Sequence, residues 1–563
     1  MRREVSVVNK KVCSFPILFA LLALVVGTCA VVFPASAQAA PTSTGSITVS
    51  GTVASSYDAY QIFSANVVDG DSDAKIATDL AWASDAVRDA ALPVLHSAGM
   101  PNSQTTAQEA AEWLNADSHL TSALSAQLAR SLQSSGAVFV ALNAGTAAEL
   151  HCGYWLIVAD DDAIAQGEAG TAPIMALVGG SAVTVKPKAA TPKVSKHVLE
   201  DGTAAWQKAA DATVADDLYW RLSATVPAGL TAYDTYTVKF VDTMSAGLDP
   251  SKVAASMRVY VAAGADGGFD AVSADKDGRV GTEPAKGWTD ITAQCATKVA
   301  ADGKTFTVRT GDLIAALGGA DAFTAGARVV AVYNAPLNGA CNHGIAKGNP
   351  NEVYLRYPRS PFADQSGDAG FTCTPSDDAC AYTWDLALTK RGSDGDKPLA
   401  GAVLSIADDR GRTLAADGTW DAEGKATVTT SEDGRVTVSG VDSGKLEVRE
   451  LKAPKGYTAF EGTRSVTVKA EGLDVDHVAA AKPKLTITAE SPLRADSADG
   501  STGSLEASLI NTPTGTPPSI TTGGFMPSTG DMAMYAAAAA AVAGAALIVV
   551  ALLVKRGGGS HKE

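Results

Sequence analysis

The sequence predicts a mainly β protein, with tandem β-sandwich units following an α+β N-terminal unit. Three observations carry this. Short apolar/polar alternations recur, separated by turn residues, from about residue 190 to 515. One helical stripe, Leu120, Leu124, Leu128 and Leu132 at a spacing of four, is confined to the first part of the chain. About 490 residues remain between two apolar ends, enough for about three domains.

The first end reads as an export signal over residues 1–37. Arg2, Arg3, Lys10 and Lys11 precede an apolar region from Phe15 to Phe33, and Ala35-Ser36-Ala37 or Ala37-Gln38-Ala39 offers a small-residue cleavage site. The lipoprotein alternative at Cys29 is disfavoured by Thr28 before it and apolar residues after it. A net charge of −16 argues against nucleic acid and anionic membrane surfaces as partners, because both attract basic patches.

Residues 38–187 form the α+β unit. Strands are expected at Ser46 to Val49, Tyr57 to Phe63, Ala137 to Leu142, Gly153 to Ala159 and Ile174 to Val185. Asp69, Asp71 and Asp73 alternate as in a calcium loop, but Ala74 and Leu80 stand where that loop needs Gly and Glu. A solvated acidic turn is expected, with no metal and no cofactor.

Residues 188–371 and 381–515 form the two sandwich units. Each carries three polar residues on inward strand faces, since alternate side chains share a face. In the first, Lys196 lies with Val194 and Val198, Asp242 with Tyr236, Val238 and Phe240, and Asn351 with Val353, Leu355 and Tyr357. Asn349, two residues away on the same face, remains a competitor. In the second, Lys390 follows Trp384, Leu386 and Leu388, Glu450 follows Leu446 and Val448, and Asn511 follows Leu505, Ala507 and Leu509. Burying one such group alone is costly. Burying them together suggests chemistry: a desolvated lysine amine loses its proton, a desolvated carboxylic acid keeps its own, and the amine can attack the asparagine carboxamide with loss of ammonia. In both units the lysine is placed on the first strand and the asparagine on the last.

The C-terminal stretch, residues 526–563, reads Met526-Pro527-Ser528-Thr529-Gly530, then an apolar run from Met532 to Val554 long enough to span a bilayer, then Lys555-Arg556. It resembles a sortase cell-wall sorting signal, with Met526 in place of the usual Leu. A Thr/Pro/Gly-rich linker, residues 516–525, precedes it. The junction Val183-Thr-Val-Lys-Pro-Lys188 resembles the pilin motif in which a lysine after proline supplies the acceptor amine; Lys186 and Lys193 are competitors. Phe240-Val241-Asp242 and Asn351-Glu-Val-Tyr354 resemble the isopeptide-forming fimbrial domain, and Glu450-Leu-Lys-Ala-Pro454-Lys-Gly-Tyr457 resembles the collagen-adhesin B-type domain.

Together these resemble a Gram-positive major (shaft) pilin. The resemblance implies Ig-like sandwiches of collagen-adhesin A-type and B-type, and internal Lys196–Asn351 and Lys390–Asn511 isopeptide bonds assisted by Asp242 and Glu450. It also implies a pilin-class sortase joining Thr529 to Lys188 of the next identical subunit, with other pilins and peptidoglycan as further partners. The place is the cell wall and surface fimbrium, with a membrane-held precursor; the host receptor is not legible. No turnover enzyme is expected, since the bond-forming residues act once on their own chain. A non-polymerising wall-anchored adhesin, or a basal or tip pilin, is the alternative. A surface enzyme has only the adjacent His151-Cys152 to offer. Of the five cysteines after the export signal, Cys373 with Cys380 and Cys295 with Cys341 are the expected disulfides, leaving Cys152 unpaired.

Overall fold

The structure is a computed structural model that describes residues 43–515, apart from 72–73, 117, 171, 188–190, 229 and 265–286. Residues 1–37, expected as an export signal, Lys188, the expected linker 516–525 and the expected sorting signal 526–563 lie outside the described residues. Among the described residues no helix is long and apolar enough to cross a membrane. The run Met532 to Val554, on which a span was expected, is not among them.

The N-terminal unit is built on one long strand, Ser56–Asp69, which pairs antiparallel with Lys75–Trp82, Val140–Asn143 and Gly153–Ala159. Gly153 is required there: its φ is +141°, and a Cβ would come within 2.0 Å of the Phe63 carbonyl oxygen. Three helices cover one side. Asp85–Ser97 is capped by Ser84, and Ala107–Asn115 by a Thr106/Glu109 capping box. The third, Ser122–Ser135, is capped by Thr121 and closed by left-handed Gly136. Leu124, Leu128 and Leu132 are buried as the spacing predicted. Leu120 is not, because the Thr121 cap starts the helix after it. The stretch expected as one strand from Ile174 to Val185 is two, Ile174–Val178 and Val183–Val185, broken at Gly179-Gly180.

The second unit is a sandwich. One sheet holds Val194–Glu200, Tyr219–Thr225, Arg328–Asn334 and Arg258–Ala262 in that order, with short strands at its edges. The other holds Asp377–Tyr382, Asn349–Pro358, Lys239–Met244 and Thr305–Arg309. Trp220, Tyr236, Phe240 and Phe306 fill the space between them and are essentially inaccessible. Apolar burial of this kind drives the sheets together. Asn351 is not on the last strand of this unit, contrary to expectation: Phe371–Cys373 and Asp377–Tyr382 follow and both pair with the Asn349–Pro358 strand.

The third unit is a second sandwich. Trp384–Gly392 lies between Arg435–Val441 and Ser504–Pro513, antiparallel to the first and parallel to the second. The facing sheet carries Val403–Ala407, Gly444–Lys452, Thr463–Glu471 and Lys484–Ala489.

The units are fastened to their neighbours. Arg130 on the third helix donates to the carbonyls of Ala232 and Pro361, and Tyr357 donates to that of Gly167. Between the sandwiches, buried Asp211 accepts from the indole of Trp384 at 2.6 Å and from the amide of Ser443. Arg412 bridges Asp216 and Asp408 beside it. Glu200, Asp201 and Asp442 bring carboxylate oxygens within 4.8 Å of one another at the same junction. Burial and the nearby Asp211 and Asp201 push the Glu200 carboxyl up to about 8.

The two expected disulfides are absent, and all five described cysteines are free. Cys373 pairs with Arg356 and Cys380 with Pro350, so six positions of one strand, roughly 20 Å, separate them. Cys295 precedes Ala296, which aligns through Arg309 with Lys239 at the start of the Lys239–Met244 strand, whereas Cys341 lies against Gly247 beyond its far end. A disulfide needs Cα atoms within about 7 Å.

Candidate functional sites: two buried lysine, acid and asparagine groups

In the second unit, Lys196, Asp242 and Asn351 are all fully buried and converge from both sheets. Lys196 comes from the Val194–Glu200 strand on one sheet; Asp242 and Asn351 come from adjacent strands of the other, where Asn351 aligns with Met244 and Asp242 with Val353. The Lys196 amine donates to Asp242 Oδ2 and, at 2.9 Å, to the hydroxyl of Tyr333. Tyr333 donates to Asp242 Oδ2 at 3.0 Å and accepts from Asn351 Nδ2 at 2.8 Å. The aromatic faces of Trp220 and Tyr333 stand 5.5 and 5.4 Å from the amine.

Burial pushes the Lys196 amine down to about 8, against the opposing pull of Asp242, and raises the Asp242 carboxyl. The hydrogen bonds fit a neutral pair. A neutral amine has two N–H groups, and Lys196 makes two bonds, leaving its lone pair free. Asp242 Oδ1 and Asn351 Oδ1 are buried without hydrogen-bond partners, which penalises the charged form of the acid.

Asn349 is placed elsewhere. Its amide bonds the backbone of Asn342 and Ala381, which satisfies it without reaching the lysine.

In the third unit the group is simpler. Lys390 aligns with Leu509 and Asn511 with Gly392 on adjacent parallel strands, so the two side chains lie diagonally on one face. Glu450 reaches them from the facing sheet: Asn511 Nδ2 donates to its two oxygens at 2.9 and 3.0 Å, and Lys390 Nζ lies 3.7 Å from Oε1. Phe460 N also donates to the glutamate, which fixes its orientation. The Lys390 amine donates to Leu509 O and is pushed down to about 8 by burial. Asn511 Oδ1 is buried and unpartnered, like its counterpart in the second unit.

Lys208 and Asp377 make a contrasting pair behind Lys196. Asp377 also accepts from the backbone amide of Lys196, so the pair ties the first strand of the unit to its last.

The other sequence candidates separate. Lys186 and Lys193 are exposed at either side of the undescribed residues 188–190, and Lys193 is held by backbone bonds to Thr225. His151, the last residue of the Ala147–His151 strand, is exposed, while Cys152, at the bend between that strand and Gly153–Ala159, is buried. Asp69 accepts from Ser181 N and pairs with Lys75, which is itself bonded to Gly179 O; Asp73 lies outside the described residues. Tyr333 is the site residue that sequence reasoning missed. Its inward position beside Val329 and Ala331 was visible in the strand alternation, but an inward tyrosine reads as ordinary core.

Comparison with known proteins bears on these sites. Residues 385–482 match the family described as SpaA, a prealbumin-like fold domain; the match includes Lys390 and Glu450 and stops short of Asn511. The trypsin-resistant surface T6 protein of Streptococcus pyogenes serotype M6 is 30% identical over 143 residues, 24% of each chain. The chain therefore spans about a quarter of the length of that curated relative. Among solved structures, the T6 backbone pilin of serotype M6 S. pyogenes is similar at 17% identity, with 85% of this chain and 100% of that one covered and a TM-score of 0.45. The major pilin SpaD of Corynebacterium diphtheriae is similar at 15% identity over 85% and 100% of the two chains, with a TM-score of 0.40. Residues 385–482 are a SpaA-type prealbumin-like domain, and a stretch of 143 residues of the chain is similar to the streptococcal T6 surface protein.

Proposed function

We propose that this protein is the structural subunit of a covalent surface pilus, internally locked by Lys196–Asn351 and Lys390–Asn511 isopeptide bonds. Asp242 and Glu450 assist those bonds. A pilin-class sortase cleaves between Thr529 and Gly530 and transfers the Thr529 acyl group to Lys188 of the next subunit, and the last subunit is passed to peptidoglycan. Adhesion follows from display on the wall.

The observation that carries this reading is the Lys390, Glu450 and Asn511 group. Three residues far apart in sequence meet in an apolar interior that favours a neutral amine, beside a carboxamide whose nitrogen is already held by an acid. Attack of the amine on Asn511 Cγ forms the Lys–Asn amide and expels Nδ2 as ammonia, with one proton passing from the lysine nitrogen to the leaving nitrogen through Glu450. Fixed proximity of this kind is worth effective molarities of about 10⁵ M or more. The test is peptide mapping of the full chain by mass spectrometry. A branched Lys390–Asn511 peptide lighter by one ammonia is expected, and it should vanish in Glu450→Ala; linear peptides in the parent chain would contradict the reading.

A further inference from the structure

We propose that Tyr333 is a catalytic residue of the second unit, carrying a proton from Asp242 to the leaving nitrogen of Asn351. This rests on the isopeptide reading above.

The two sites differ in how the acid reaches the amide. Glu450 holds Asn511 Nδ2 directly, with both oxygens. Asp242 is one methylene shorter and makes no hydrogen bond to Asn351: its Oδ1 has no partner, and Oδ2 is taken by Lys196 and Tyr333. The Tyr333 hydroxyl fills the gap. A hydroxyl has one donor and two acceptor positions, and all three are used here by the reacting groups alone: it donates to Asp242 and accepts from Lys196 Nζ and Asn351 Nδ2. Its ring is fixed edge-on against Phe306 at 4.7 Å, so the hydroxyl sits in one place.

The step balances within these four residues. The neutral Lys196 amine attacks Asn351 Cγ. Tyr333 passes its hydroxyl proton to Nδ2 and recovers the proton of the Asp242 acid, and the Asp242 carboxylate so formed takes a proton at Oδ2 from the attacking nitrogen. The Cγ–Nδ2 bond breaks, ammonia leaves, and tyrosine and acid return to their starting protonation. Tyrosinate never accumulates, in keeping with a phenol that burial holds far above its usual range. Domain three needs no such relay.

The test uses the full chain, refolded from denaturant and sampled over time for both branched peptides. In Tyr333→Phe the Lys196–Asn351 bond should form at least tenfold more slowly or not at all, while Lys390–Asn511 forms at the parental rate in the same molecule. Equal rates for the Lys196–Asn351 bond in variant and parent would overturn the relay. Because the phenyl ring remains, a purely structural role predicts an unchanged rate in molecules whose second unit resists protease. If the variant does not fold, uniform replacement of tyrosine by fluorotyrosine, which makes the phenol more acidic and keeps its shape, should change the rate at Lys196–Asn351 and leave that at Lys390–Asn511 unchanged; two unchanged rates refute the relay. A parent chain with Lys390–Asn511 but no Lys196–Asn351 bond would instead refute the isopeptide reading of the second unit itself.

Discussion

Lys390 and Asn511 stand diagonally on neighbouring parallel strands, the first and last of their sandwich, with Glu450 reaching across from the facing sheet. A bond between them closes the third unit on itself. Lys196 and Asn351 are related differently: they face each other across the two sheets, and two further strands follow Asn351 before the chain leaves the unit.

That difference predicts a mechanical asymmetry. With tension applied between Lys188 and the C-terminus, the stretch from Asn351 to Lys390 is the longest on the load path that the two proposed bonds leave unclosed. It is held by strand pairing, by the Lys208 and Asp377 pair and by Asp211 against Trp384. Single-molecule pulling should show one reversible extension of the order of 100 Å per subunit, from about 3.3–3.6 Å per residue, and no unfolding of the third unit. Asp377→Ala should lower the force of that event.

Removing the bond of the third unit should be costly. Lys390→Ala or Glu450→Ala opens a covalent loop of more than 100 residues, worth about 4–5 kcal/mol in the chain-entropy account. Differential scanning calorimetry should place the transition of that unit lower by about 15–20 °C.

The two asparagines of the second unit should separate cleanly. Asn351→Ala should abolish the Lys196 branched peptide. Asn349→Ala should leave it in place and lower stability by about 1–3 kcal/mol, because Asn349 ties Asn342 and Ala381. Peptide mapping and urea unfolding of the two variants check this.

Bond formation should accelerate with pH. Both amines are depressed to about 8, so the reactive neutral form rises from about a tenth at pH 7 to a majority above pH 8. The yield of each branched peptide during timed refolding at a series of pH values reads this directly.

The junction should respond in the opposite sense. Glu200 is raised from its usual carboxylate range to about 8, so the folded state favours its protonated form. Its contribution is whole below about pH 4.5 and is lost as pH rises towards 8. Glu200→Gln mimics the protonated acid. Its melting temperature should match the parent near pH 4.5 and exceed it by a widening margin up to pH 8, as thermal melts across that range would show.

Much of this was legible in the sequence because a strand has a period of two. Lys196, Asp242, Asn351, Lys390, Glu450 and Asn511 were found as polar interruptions of apolar faces, and each is buried where that period puts it. Tyr333 interrupts nothing, since its ring belongs in a core and only its hydroxyl is unusual. The cysteine pairs failed because nearness along the chain is not nearness in a sheet: Cys373 and Cys380 lie at different positions along the same neighbouring strand. The junction was illegible for the converse reason, with Asp211 and Trp384 separated by 173 positions and joined by one hydrogen bond.

Covalent polymerisation is read by an immunoblot of boiled, detergent-treated wall extract from cells with the cognate sortase. The parent should give a ladder of high-mass species that collapses to monomer in Lys188→Ala. A ladder that survives would move the acceptor to Lys186 or Lys193, whereas monomer alone in the parent would contradict polymerisation and leave a wall-anchored adhesin.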